Sequence, residues 1–344
     1  MTWRTIMRAA AVLSAAVIGF GTAQAEEQCG PLKLMSSIKM LPGKDKRSEY
    51  VPVQIAGADK ILLVDTAAPA SELQEAEVDA LKLPRRRGNV KLFTMSGDSS
   101  DIYAVAPLKL GRIAFDSVYF LVAPRSHEDL EVAGILGADV MRQFDVEMDF
   151  GTDEMRLFSH DHCLGKVVYW RPSVVAMVPM TLTPSGHIII PVQLDGQKVM
   201  ATVDTGAMQS TFDLQKAKSN FGVEPKPEEV IGRLNDSDYY KIYRHTFKTL
   251  TFEGVTVNSP RFALLPDLVS KHVDPGPATG THLAEKTPQT EADMILGMNI
   301  LRHFRLYIAY KEARLYITPS EPAASKTEAL PAATNTPAKP SDAP

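Results

Sequence analysis

Two stretches of the chain carry the same chemistry-bearing residues at the same spacing. Residues 51–71 read VPVQIAGADKILLVDTAAPAS and residues 190–210 read IPVQLDGQKVMATVDTGAMQS. They align without a gap, with nine identities in 21 positions. Each supplies one carboxylate: Asp65 in Asp65-Thr66-Ala67-Ala68 and Asp204 in Asp204-Thr205-Gly206-Ala207. Two carboxylates brought within about 3 Å cannot both ionise, so their pKa values split. One is left as a base that can activate water, the other as an acid that can polarise a carbonyl. Titration then belongs to the pair, and neither aspartate takes a fixed role.

Other arrangements are weaker. His160-Asp161-His162-Cys163 has donor atoms but no second cluster with zinc-like spacing, and reads as a polar connector. His272 and His282 fall in the Pro-, Gly- and Thr-rich stretch from Pro266 to Asp293 and read as surface residues of a loop. There is no G-x-S-x-G elbow, no H-E-x-x-H helix and no P-loop. Arg85-Arg86-Arg87 is the longest basic run; it reads as a solvated loop or as a contact for an acidic ligand. With a formal net charge of -4 and 7% aromatic residues, the chain has no nucleic-acid footprint. Two cysteines exclude a disulfide-dense scaffold and a four-cysteine zinc site.

The elements that must hold the aspartates are legible from periodicity. Each repeat alternates apolar and polar residues, turns at Gly57 or Gly196, and runs through a second apolar strand into the aspartate. That is a β-hairpin pattern. A second repeated block follows: ILGADVMRQFDVEMDF at 135–150 and ILGMNILRHFRLYIAY at 295–310. It reads as a strand ending at glycine, a short helix and a returning strand. Gly97 and Asp236 each lie 32 residues past the aspartate of their half, in turn-rich segments flanked by strand-like residues. A protruding hairpin is expected at the same place in each half.

The block hydrophobic-hydrophobic-Asp-Thr-Gly-Ala with a downstream hydrophobic-hydrophobic-Gly resembles the aspartic peptidases. More narrowly, it resembles the retropepsin-like aspartyl proteases of bacterial envelopes. The carriers are Val203 to Ala207 with Ile295-Leu296-Gly297, repeated as Val64 to Ala68 with Ile135-Leu136-Gly137. The resemblance implies an all-β fold of two homologous lobes related by a pseudo-two-fold axis, with short helices, and an aspartic endopeptidase with Asp65 and Asp204 as its dyad. It also implies that Thr66 and Thr205 brace the two loops, that Gly206 brings its N–H to the carboxylate, and that the turns at Gly137 and Gly297 pack beneath. The hairpins around Gly97 and Asp236, with Tyr103, Tyr239 and Tyr240 on or near them, are flap candidates; ordinary strand tyrosines are the alternative. No cofactor is implied, because the dyad activates water unaided. The substrate would be an extended peptide or protein segment paired with the hairpins by strand addition.

One residue departs from the pattern. Ala67 stands where the family has glycine. Alanine keeps the N–H but resists φ > 0, and an unsuitable backbone there costs about 1–3 kcal/mol. The alternative function is therefore a catalytically weakened or inactive pair of lobes that binds peptides or an envelope polymer.

The ends read differently from the middle. Residues 1–25 have the layout of a secretory signal: Arg4 and Arg8, the apolar run Ala9 to Gly21, then Ala23-Gln24-Ala25. The apolar run is shorter than the about 20 residues a transmembrane helix needs, although an uncleaved anchor is the competing reading. The expected division is a signal at 1–25, lobes at 26–163 and 164–317, and a disordered Pro/Ala-rich tail at 318–344. Export to the periplasm or beyond makes a Cys29–Cys163 disulfide plausible, with two separate thiols as the alternative. The expected protein has no membrane span after signal cleavage and is a monomer with an internal pseudo-dimer.

Overall fold

The computed structural model describes residues 29–43, 47–93, 99–124, 132–233, 241–266 and 292–320. The flap candidates Gly97, Asp236, Tyr239 and Tyr240, the histidines His272 and His282, the signal and most of the tail lie outside these residues. The chain is mostly β, and each half builds one sheet in which the repeated elements recur.

In both halves the aspartate hairpin forms as its alternation demands. Strands Glu49–Ile55 and Ala58–Val64 pair antiparallel, as do Ile188–Leu194 and Gln197–Val203. Val51, Val53 and Ile55 point inward, as do Ile190, Val192 and Leu194. Both hairpins turn through two consecutive positive-φ residues, Ala56-Gly57 (50° and 84°) and Asp195-Gly196 (46° and 80°). That backbone matches strand twist and favours glycine at the second position. The second strand of each hairpin then pairs in parallel with the strand of the Ile-Leu-Gly block, Gly134–Leu136 or Met294–Leu296. This pairing brings the two repeated blocks of each half together and ends beside the aspartates.

A third sheet has six strands, three from each half: Leu34–Lys39, Glu154–Phe158 and Asp145–Asp149, then Phe304–Ala309, Arg314–Pro319 and Ala176–Pro179. The halves meet where Asp145–Asp149 pairs antiparallel with Phe304–Ala309, the two returning strands of the second repeat. Val146, Met148, Leu306 and Ile308 face a core that is continuous through both halves. The opposite face is covered by Val167, Val168, Trp170 and Val175 of the connecting segment. Arg314–Pro319 takes in the first two residues of the expected tail: Thr318 is buried and accepts a hydrogen bond from Trp170 Nε1. The apolar Leu315 and Ile317 carry that strand on, and a compositional reading of the tail missed it. A second correction concerns Arg85-Arg86-Arg87. It is not a loop but the start of strand Arg85–Phe93, paired with Ser99–Leu110.

A disulfide joins Cys29 to Cys163, and Gly30 pairs with the chain at Asp161 to Cys163. His162 of the expected polar connector is buried, with its Nε2 2.5 Å from Asp145 Oδ2. No helix among the described residues is long and apolar enough to cross a membrane.

Glu147 is the sharpest test of the central sheet. Its carboxylate is wholly buried and meets Arg156 at 2.5 Å and Arg305 at 2.8 Å. The Arg305 guanidinium also lies 4.0 Å from the ring centroid of Trp170. Removing one member of such a cluster leaves buried charge uncompensated. Glu147→Ala is expected to destabilise the protein by about 3–5 kcal/mol, measured by urea unfolding. A change below about 1 kcal/mol would show that the cluster is solvated in solution.

Candidate active site

Each aspartate sits where its strand leaves the sheet. Asp65 N donates to Leu136 O and Asp204 N to Leu296 O, so the parallel strand fixes each loop at its root. Beyond that point the two loops grip each other across the lobes. Thr66 Oγ1 donates to Val203 O at 2.8 Å, and Thr205 Oγ1 donates to Val64 O at 2.8 Å. Each threonine N–H donates to the other threonine's hydroxyl at 3.1 Å. Both threonines are fully buried. These four bonds link residues 137 to 141 apart in sequence. They fix the relative placement of the lobes at the point where the carboxylates meet.

The carboxylates are held alike. Asp65 Oδ1 accepts from Ala67 N at 2.8 Å and Ala68 N at 2.9 Å. Asp204 Oδ1 accepts from Gly206 N and Ala207 N, both at 2.9 Å. The two carboxylates lie close enough to shift each other's titration. Burial raises the pKa of Asp65, against the pull of its two N–H donors and of nearby His187. Burial and then the charge of Asp65 push Asp204 up to about 7, against its own two donors. The pair therefore keeps a proton up to about pH 7, as close like charges require.

Gly206 explains the glycine of the motif, and the explanation is space. Gly206 does not have a positive φ. A Cβ built on it would lie 2.3 Å from Asp65 Oδ2 and 2.4 Å from its Cγ. Ala67, the equivalent residue of the first half, has no positive φ either. The strain expected from alanine at a left-handed position is thus absent, and the Ala67 N–H bond to Asp65 is intact. What remains is steric: the repeat predicts that the Ala67 methyl faces Asp204 as Gly206 faces Asp65.

Beneath the loops lies a second repeated arrangement. Gly137 N donates to Ser71 Oγ, which donates to Asp139 Oδ1 at 2.7 Å. Gly297 N donates to Ser210 Oγ, which donates to Asn299 Oδ1 at 2.8 Å. A Cβ on Gly137 would meet the backbone of Ala70 at 2.6 Å, and one on Gly297 the carbonyl of Ala207 at 2.6 Å. Both glycines are required by the close approach of backbone to backbone. Sequence reasoning placed Gly137 and Gly297 but missed Ser71, Ser210, Asp139 and Asn299. The available signal was the serine identity that closes the aligned repeats and the Asp/Asn pair two residues after each glycine. His187 was missed as well; nothing in the sequence places it near Asp65.

Of the flap candidates, only Tyr103 lies among the described residues. It stands on strand Ser99–Leu110, opposite Arg86. Burial, then Asp139 and Asp101, raise the pKa of its hydroxyl. Among the described residues no group of His, Cys, Asp or Glu could hold a metal ion.

Comparison with known proteins gives three findings. A family model described as aspartyl protease matches residues 51–140 and 190–300, one segment per half and more than half of the chain. No curated protein sequence matches the chain. Among solved structures the fold is similar to Basic 7S globulin from soybean at 8% identity (TM-score 0.46, 84% of this chain and 95% of that one). It is also similar to an aspartic proteinase from Irpex lacteus at 14% identity (TM-score 0.46, 84% of this chain and 98% of that one).

Proposed function

The chain belongs to the aspartyl protease family, and on that premise we propose that it is an endopeptidase in which Asp65 and Asp204 activate a water molecule. One observation carries the reading: two half-buried carboxylates, one from each half, lie close enough to shift each other's titration inside a braced pair of loops. The ionised member takes a proton from water as the oxygen attacks the peptide carbonyl. The protonated member donates toward the carbonyl oxygen. Collapse of the tetrahedral species then passes a proton to the departing amine. No cofactor enters this scheme. One chain supplies both aspartates, so the working unit is a monomer.

The test is incubation of the purified protein with a diverse peptide mixture, from below pH 3.8 to above pH 7, with cleavage read by mass spectrometry. Cleavage by the wild type, lost in both Asp65→Asn and Asp204→Asn proteins, supports the reading. No cleavage by folded wild-type protein at any pH overturns it. Ala67 favours the second reading, a peptide-binding module without turnover; peptide binding by a protein that never cleaves would select it.

Export belongs to the same proposal. Its support is the signal-like layout of residues 1–25 and the Cys29–Cys163 disulfide, which fits an oxidising compartment. The mature protein is expected to begin at Glu26, after Ala25. Intact-mass measurement of protein recovered from cells checks this, and a mature chain still carrying Arg4 and Arg8 overturns it.

A further inference from the structure

In each lobe a row of directly opposed residues crosses the sheet from the aspartate strand to the outer hairpin. In the first lobe the row is Leu63, Ile135, Glu72, Leu121, Tyr103 and Arg86. In the second it is Thr202, Ile295, Thr211, Ala263 and Arg244. Opposed residues in a ladder share one face of the sheet. Leu63 precedes Asp65 by two residues, which places both on the same side of their strand. Leu63 and Ile135 also pack with Ala68, whose N–H holds the Asp65 carboxylate. The row therefore runs along the face that carries the dyad. One position out of step, Ile102 and Tyr243 pack into the core instead.

Both rows end in an exposed arginine on the outer hairpin, Arg86 in one lobe and Arg244 in the other. The neighbours of Arg86 are engaged: Arg85 with Asp79 at 2.7 Å and with Glu75, Arg87 with Asp101. Arg86 and Arg244 make no ion pair among the described residues. Tyr103, between Arg86 and the dyad, is held over Gly88, where a Cβ would lie 2.6 Å from its ring. The result is two guanidinium groups on the dyad face, one per lobe, in a chain whose net charge is -4.

We propose that Arg86 and Arg244 recognise acidic side chains on opposite sides of the scissile bond, so that the preferred substrate is an acidic peptide in extended form. This rests on the two lobes binding an extended peptide. An extended chain between the lobes meets the two hairpins on either side of the dyad. A guanidinium offers a carboxylate two parallel N–H donors, a match that neither an amide nor an ammonium side chain on the peptide can reproduce. Arg244 holds the row position of Tyr103, and Arg86 stands one strand farther out, so the acidic residues flank the cleavage point at unequal distances.

The experiment uses fluorescent extended peptides in which a single Glu or Gln is walked through every position. Binding is measured by anisotropy on the Asp204→Asn protein, and cleavage on the wild type. Glu is expected to bind about tenfold tighter than Gln at one position on each side of the bond. Arg86→Gln should erase the advantage at one of these positions, and Arg244→Gln at the other. Arg86→Glu should turn the first preference toward Lys, and added salt should shrink all of them. Equal behaviour of Glu and Gln peptides at every position, including no binding of either, overturns the proposal. So does a Glu preference that survives both arginine substitutions. A Glu preference in binding, lost with the arginines, in a protein that never cleaves would retain this assignment and overturn hydrolysis instead.

Discussion

Asp204→Asn protein is expected to fold normally and to lose about four orders of magnitude of peptide turnover, the upper range for general acid–base catalysis. The side chain keeps its shape, and its oxygen can still accept from Gly206 and Ala207. It can no longer share a proton with Asp65. Asp65→Asn should cost about as much, and the double variant little more, because the two act as one unit. Turnover at the wild-type rate by Asp204→Asn protein would remove the dyad from the mechanism.

The same substitution has a consequence for stability whose sign follows from the pair. Asp204 titrates near 3.8 in the unfolded chain and near 7 in the fold. The folded state therefore binds more protons between those values, and stability falls as pH rises through that window. The aspartate contributes most below about pH 4, and its contribution is lost above about pH 7. Asn at this position removes the Asp204 share of the dependence and leaves that of Asp65. Urea unfolding across the window should give a flatter curve for the variant, which is at least as stable as the wild type at neutral pH. The activity of the wild type should decline above about pH 7, where the pair loses its shared proton. A rate that keeps rising through that pH contradicts the proton assignment.

Gly206→Ala should lower kcat by about a hundredfold, the cost of displacing a catalytic group by roughly 1 Å. Its Cβ would fall 2.3 Å from Asp65 Oδ2, so the carboxylate must move. Ala67→Gly is the mirror experiment. It removes the methyl that the repeat places beside Asp204 and should raise kcat, while extra backbone freedom lowers stability by about 0.5–1 kcal/mol. The two measurements together separate sterics from strain. If Gly206→Ala is severe and Ala67→Gly raises activity, crowding of the carboxylates limits the enzyme. If Gly206→Ala leaves kcat unchanged, the loops yield to a methyl group and Ala67 is no defect. An inactive wild type made active by Ala67→Gly would identify the chain as a peptidase silenced by one methyl group.

The sequence by itself determined what depends on short stretches. Alternation and the Ala56-Gly57 and Asp195-Gly196 turns specify the aspartate hairpins, because side-chain period and turn backbone are local properties. The duplication showed that each half must present one carboxylate, and the Asp-Thr and Ile-Leu-Gly blocks marked the loops that hold it. Only the tertiary structure decided what depends on residues far apart in the chain. Ser71 meets Asp139 across 68 residues, and the threonine grip spans just over twice that. No local pattern encodes such pairings, because they arise when separate strands enter one sheet. It also decided why Gly206 is glycine: the chain shows a small residue, but the carboxylate filling the space beside it belongs to the other lobe. Likewise Arg85-Arg86-Arg87 shows only charge in sequence. Strand register turns Arg86 toward the dyad face and leaves its neighbours to nearby carboxylates, because side chains alternate across a sheet and only the ladder says which side faces the site.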